Sequence, residues 1–167
     1  IWTSWTELRA WQIANGLVDI YKDLKLRKYL KPEALWEIER GLSLSGQAIY
    51  NSALKKSKWH NAASELFENF DLLVLPSTQV WPFDLSEIYP KSINSKKMDT
   101  YHRWMQVTIP AGLLGLPVVN IPIGFGKNGL PVGLQLIGSK GSDGQILSIA
   151  QAWHEHTRWP DVNIPKF

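Results

Sequence analysis

Few residues of this chain are spaced for chemistry. Ser52 and Lys55 match Ser-x-x-Lys, a spacing that brings a hydroxyl and an amine onto one side of a helix. With two free positions the pattern arises readily by chance, and a solvated helix face is its ordinary meaning. Gly138-Ser139-Lys140-Gly141-Ser142-Asp143-Gly144 mixes glycine, serine and lysine ahead of an apolar stripe. A helix N-terminus can hold an anion, but this is also the composition of a strand-to-helix turn closed by a capping residue. His154-Glu155-His156 lacks the i, i+4 pairing that places two imidazoles on one side of a helix for zinc. For these two and for His60 and His102, a helix surface is the expected place. Nine tryptophans raise the question of ring stacking on sugars, yet Trp5, Trp11, Trp59 and Trp153 fall at helical spacings and are expected in the core. No metal ligand set and no catalytic residue is assigned.

The composition narrows the classes. With 167 residues, 44% hydrophobic and 20% charged, the chain can bury a sizeable core. Its 18 Lys and Arg are offset by 15 Asp and Glu, and no basic run is long enough to track a phosphate backbone, so nucleic acid is not an expected partner. Cysteine is absent, which removes disulfides, thiolate metal sites and a cysteine nucleophile. No apolar run approaches the roughly 20 residues of a membrane span. A soluble, cytoplasmic protein is expected.

The elements that must position any site follow from periodicity. Ser4-Trp5-Thr6-Glu7 has the form of a capping box, and Trp5, Leu8, Trp11, Val18, Tyr21 and Leu24 continue it as a helical face. Lys31-Pro32-Glu33 starts a shorter helix that Gly41 is expected to end. Trp59, Ala63, Leu66, Phe67 and Phe70 line a third helix from about Ser45. At Asp71 the period changes. Leu72-Leu73-Val74-Leu75 reads as a strand buried on both faces, followed by a long surface loop over 78–99. In that loop Trp81 and Phe83 are costly to leave in water and are expected to pack. A helix is expected over 100–107, with Tyr101, Trp104 and Met105 at spacings of three and four. Val118–Ile123 is a strand whose Pro122 demands an edge or a bulge. Asn128-Gly129 turns it back into a strand over 132–137. Ser142-Asp143-Gly144-Gln145 has the form of a second capping box, for a helix carrying Ile146, Ile149, Ala150 and Trp153. The expected class is α/β, a mixed β-sheet with flanking helices. A helical layer spans 1–70, strands and helices span 71–157, and 158–167 is an irregular tail.

Three ordered blocks carry a family resemblance: Phe70-Asp71-Leu72-Leu73-Val74-Leu75-Pro76-Ser77, Ile109-Pro110-Ala111-Gly112-Leu113-Leu114-Gly115-Leu116-Pro117, and Gly129-Leu130-Pro131-Val132-Gly133-Leu134-Gln135-Leu136-Ile137-Gly138 with Asp143 beyond. Together they resemble the C-terminal half of the amidase signature family. The resemblance implies hydrolysis of carboxylic amides through an acyl-enzyme, without metal or cofactor. It also implies a serine nucleophile, a second serine in a cis peptide and a lysine, with backbone N–H groups as oxyanion hole. In the family these lie upstream of the blocks, and this sequence has no Gly-Gly-Ser-Ser-Gly-Gly segment. Residues 1–167 are accordingly expected to be the C-terminal portion of an amidase domain, inactive alone, and the opening Ile1-Trp2-Thr3 without Met agrees with that.

The resemblance also implies where substrate binds. The family builds part of its pocket from the loop after the first strand and the helix before the Pro-Ala-Gly turn, so Trp81, Trp104 and Met105 are the candidate substrate-binding residues. Relatives that bind glutamine carry an acidic residue where Met105 aligns. An apolar residue there favours an uncharged or aromatic amide. Packing against the missing half is the other reading of these three. The implied partners are the upstream catalytic half of the same protein and a small-molecule amide. An apolar face exposed in this piece is expected, to be covered by that half or by a second copy in a homo-oligomer. The alternative of a different class is a noncatalytic binding module derived from the amidase fold, and an aromatic sugar-binding domain is a weaker third.

Overall fold

The computed structural model describes residues 1–162 and 164. The chain divides into two compact units, Ile1–Ala62 and Ala63–Phe167.

The first unit is helical: α1 (Trp2–Lys22), α2 (Leu24–Arg27), α3 (Pro32–Ser43) and the start of α4 (Gly46–Phe67). The capping box expected at Ser4 is not formed. α1 begins at Trp2, and Ser4 lies inside it, fully buried, its Oγ donating to the Ser52 carbonyl at 2.6 Å. Ser52 is equally buried and its own hydroxyl donates to the Glu7 carboxylate. Packing has withdrawn these hydroxyls from water, so they bond across helices instead of to a helix terminus. The buried stripe of α1 is Ser4, Thr6, Ala10 and Ala14, not the large residues expected there, and Trp11 is 41% exposed.

Gly41 supplies the reason. It does not end α3 but sits inside it, where an added Cβ would stand 2.1 Å from the Ala10 carbonyl oxygen and 2.6 Å from the Ala14 Cβ. With backbones this close only small residues fit between the helices, and bulky ones are pushed to the flanks. There Trp5 stacks on Trp2 at 5.8 Å, and the Arg9 guanidinium lies 5.5 Å from the Trp5 ring while pairing at 2.7 Å with the buried Glu37.

The second unit carries a sheet of β1 (Leu73–Pro76), β4 (Val118–Phe125) and β5 (Pro131–Ile137) in the order β1-β5-β4. The α/β class expected from the sequence is present. Both pairings are antiparallel, so the mixed pairing expected of the sheet does not occur among these strands: β1 and β4 run the same way but on opposite sides of β5. β5 holds the core, with Gln135, Leu136 and Ile137 all buried. β1, expected to be buried on both faces, is an edge strand with alternating burial, and Val74 is 50% exposed. Its apolar run therefore does not mark a two-sided environment in this chain. Pro122 behaves as expected: the register shifts between Pro122 and Gly124, a bulge on an edge strand. The Asn128-Gly129 turn closes with Gly126 N–H donating to the Leu130 carbonyl at 2.8 Å and Gly129 at φ +74°.

The loop over 78–99 is not structureless, because β2 (Ser92–Ile93) and β3 (Lys96–Lys97) pair as a hairpin. Its two-residue turn, Asn94-Ser95, has φ 46° and 61°, the left-handed turn that matches strand twist. A 3₁₀ helix (Arg103–Thr108) and α5 (Ile109–Gly112) precede β4, and α6 (Asp143–Thr157) follows β5. The second capping box is also not formed, since Ser142 Oγ donates backward to the Ser139 carbonyl at 2.7 Å. The tail expected to be irregular includes a helical turn, α7 (Trp159–Val162), with Trp159 against Gly124 and Phe125. Residues 163 and 165–167 of that tail lie outside the described residues. Among the described residues no helix is long and apolar enough to cross a membrane.

Candidate functional site

The site grows from a break in helical structure. An α-helix was expected over 100–107, but Arg103–Thr108 is 3₁₀ and Met105 leaves helical dihedrals altogether, at φ −109° and ψ 22°. Pro110 accounts for this. It has no N–H for the Gln106 carbonyl, and its ring crowds that same carbonyl, so a continuous α-helix cannot run through both.

Two glutamine amides hold the broken segment. Gln79 Nε2 donates to the Arg103 carbonyl at 3.0 Å, and Gln79 Oε1 accepts the Val107 N–H at 3.0 Å. Gln135, buried in the central strand, donates from Nε2 to the Pro76 carbonyl at 2.8 Å and to the Val107 carbonyl at 3.3 Å. Neither glutamine was singled out from sequence. Gln135 could have been, as the one amide inside the apolar run Val132–Ile137. Gln79, in a Ser/Thr/Pro-rich loop, gives no such signal.

Gln79 also lines a cavity of about 560 Å³. It is lined by the run from Pro76 to Phe83, by Trp104, by Ile123 of β4 and by Pro131 to Leu134 of β5. Trp81 and Trp104, separated in sequence, meet here. Trp104 packs edge-to-face on Phe83 at 5.5 Å, and a Cβ added at Gly126 would be 2.7 Å from the Trp81 ring, so the glycine makes room for the indole. Phe83 is partly covered, whereas Trp81, expected to pack away from water, keeps 62% exposure. Met105 is half-buried at the kink and does not line this cavity.

Among the described residues, none that lines the cavity is ionisable. The lining hydroxyls are already occupied: Ser77 Oγ donates to Asn120 Oδ1 at 2.9 Å and Thr78 Oγ1 to the Val80 carbonyl at 2.7 Å. The Trp104 Nε1–H is buried without an acceptor. The cavity can therefore hold a flat, uncharged group by apolar and ring contacts.

The other sequence candidates lie elsewhere. The Ser52 hydroxyl is buried on Glu7 in the first unit, and Lys55 is exposed. Gly138–Gly144 is the turn into α6. His102, expected on a surface, is buried, with its ring edge-on to Tyr101 at 5.3 Å.

One ion pair flanks the kinked segment. Arg103 donates from Nε to Asp99 Oδ1 at 2.9 Å and from Nη2 to Oδ2 at 2.7 Å. These bonds hold the Asp99 carboxyl below its ordinary value of 3.8, against a smaller upward push from burial. Because the folded value is the lower one, this stabilisation is present above 3.8 and is lost as pH falls below it. Following the Asp99 carboxyl carbon by NMR should give a midpoint below 3.8, moving up toward that value in Arg103→Gln. An unchanged midpoint in Arg103→Gln would show that the pair does not set it.

Residues 12–147 match the family model described as Amidase. The chain belongs to the amidase family. The match includes both strands of the β4–β5 hairpin and the whole lining of the cavity. Among relatives of this amidase chain is a glutamyl-tRNA(Gln) amidotransferase subunit of Thermotoga maritima, 36% identical over 107 residues, covering 64% of this chain and 21% of that protein. Its counterpart in Bacillus thuringiensis is 28% identical over 148 residues, covering 86% and 29%. The chain thus spans well under half the length of the relatives it matches. Among solved structures, a bacterial aryl acylamidase of the amidase signature enzymes superposes with a TM-score of 0.82 at 21% identity, covering 95% of this chain and 34% of that one. The 6-aminohexanoate cyclic dimer hydrolase gives 0.74 at 16% identity, covering 94% and 35%. At these identities the superpositions speak for the fold, which is that of the amidase signature enzymes.

Proposed function

We propose that this chain is the pocket-bearing, C-terminal portion of an amidase signature hydrolase, and that the whole protein cleaves carboxylic amides. The serine, cis-serine and lysine of the acyl-enzyme mechanism are contributed by another part of the protein, and the chain alone turns over no amide. Trp81 and Trp104 form a substrate-binding wall, and Met105 sits at the bend beside Trp104, outside the cavity. The observation that carries this reading is the uncharged cavity that joins Trp81, Phe83 and Trp104 inside the family-matched region. Its chemistry suits an aryl or otherwise flat, neutral amide. A glutamyl-tRNA amidotransferase component is the second reading, supported by the named relatives. It fits the site less well, because a substrate bearing an ammonium group needs an acidic partner and the described residues of the cavity lining include none.

The whole protein is the material for the test. It should hydrolyse 4-nitroacetanilide, lose activity to serine-directed acylating reagents and keep it in chelator. Trp104→Ala should lower kcat/KM for the anilide by about tenfold or more while an aliphatic amide is little affected, a loss of ring contacts of about 1.4 kcal/mol. Glutamine turnover without anilide turnover would establish the second reading instead.

A further inference from the structure

We infer that Gln79 is a positioning residue for the aromatic cavity: its side-chain amide sets where the Trp104 indole stands. The inference rests on reading that cavity as a substrate wall.

Trp104 sits in the only described helical element whose dihedrals are broken, one residue before the break at Met105. A 3₁₀ segment holds its residues weakly, and here the continuous ladder that fixes a side chain on an α-helix is missing on the C-terminal side of Trp104. The Gln79 amide replaces it. Its donor takes the Arg103 carbonyl and its acceptor takes the Val107 N–H, both at 3.0 Å, so one planar group spans both sides of residues 104 and 105. Only an amide of this length does this. A carboxylate lacks the donor, an ammonium lacks the acceptor, and asparagine is one methylene short. From the other side Gln135 holds the Val107 carbonyl.

Gln79 is itself part of the cavity wall that carries Trp81 and Phe83. The bridge therefore ties one wall to the other, and the spacing between the Trp81 and Trp104 rings depends on it. Beside it the Phe83 edge contact is a single, sliding one. An aromatic group lying between two walls needs that spacing, whereas a flexible alkyl chain tolerates a shift.

The test uses the isotope-labelled whole protein and two probes, 4-nitroacetanilide and N-hexylacetamide, titrated by NMR before turnover is appreciable. The Trp104 indole signal is identified by its loss in Trp104→Phe. In Gln79→Ala the anilide should bind about tenfold more weakly, N-hexylacetamide should change by less than about threefold, and the indole signal should move. Gln79→Glu keeps the acceptor for Val107 N–H and should fall between, and it serves as the comparison if Gln79→Ala does not fold. Equal weakening of both probes would mean general loosening and would overturn the inference, as would unchanged anilide binding. An unmoved indole signal would overturn the bridge however binding behaves. Failure of the wild-type protein to bind either probe would instead remove the substrate reading of the cavity, and the role of Gln79 with it.

Discussion

Gly41→Ala is expected to destabilise the chain by about 3 kcal/mol, although alanine is the better helix former by about 1 kcal/mol. The clash decides the sign. The added methyl would stand 2.1 Å from the Ala10 carbonyl oxygen and 2.6 Å from the Ala14 Cβ, and neither backbone nor a Cβ can turn away as a long side chain can. α1 and α3 must separate, opening the packed line of small residues between them. For a unit of this size the loss should lower the melting temperature by about 10 °C or more. Gly16→Ala is the matched control. It lies in α1 with nothing within 4 Å of an added Cβ, so propensity alone acts and stability should rise by about 0.5–1 kcal/mol. A melting temperature for Gly41→Ala at or above wild type would show that the helices do not meet at this glycine.

Gln135→Leu should cost about 3 kcal/mol, despite leaving volume almost unchanged and making the side chain more apolar. Leucine suits a buried central strand, so a packing argument alone predicts little loss. What it removes is the amide N–H pair serving the Pro76 and Val107 carbonyls, and each of these partly buried carbonyls left without a donor costs about 1–2 kcal/mol. The effect should be local as well as global. Val107 is held on both its polar groups by glutamines, so its N–H, accepted by Gln79, should exchange with solvent markedly faster in Gln135→Leu. Chemical denaturation within about 0.5 kcal/mol of wild type, with unchanged exchange at Val107, would show that the segment is held by other contacts.

The legible parts of the fold are those that nearby residues dictate. Asn128-Gly129 between two apolar runs specifies the β4–β5 hairpin, and Pro122 specifies its irregularity. Pro32 specifies the start of α3, with the proline in its first turn. The capping boxes misled because Ser4 and Ser142 have competing acceptors, the carbonyls of Ser52 and Ser139, that a four-residue pattern cannot include. Large residues in α1 misled for a related reason. Hydrophobic spacing finds a helical face but not how close the neighbouring helix comes, and Gly41 makes that distance too short for a tryptophan.

The candidate site divides along the same line. By itself the sequence determined the order of the longer helices and of the three strands of the sheet, the family blocks, and the presence of Trp81, Trp104 and Met105 on the segments flanking β1 and α5. It also supplied an uncharged run, Pro76 to Phe83, which needs no partner to be recognised. Only the tertiary structure decided that Trp81 and Trp104 share a cavity while Met105 stays outside it, and that β5 lies between the other two strands. The bonds behind those outcomes join residues 24, 28 and 59 positions apart. Propensity and periodicity act over a few residues, so they cannot say which amide will meet which carbonyl once the chain has closed on itself.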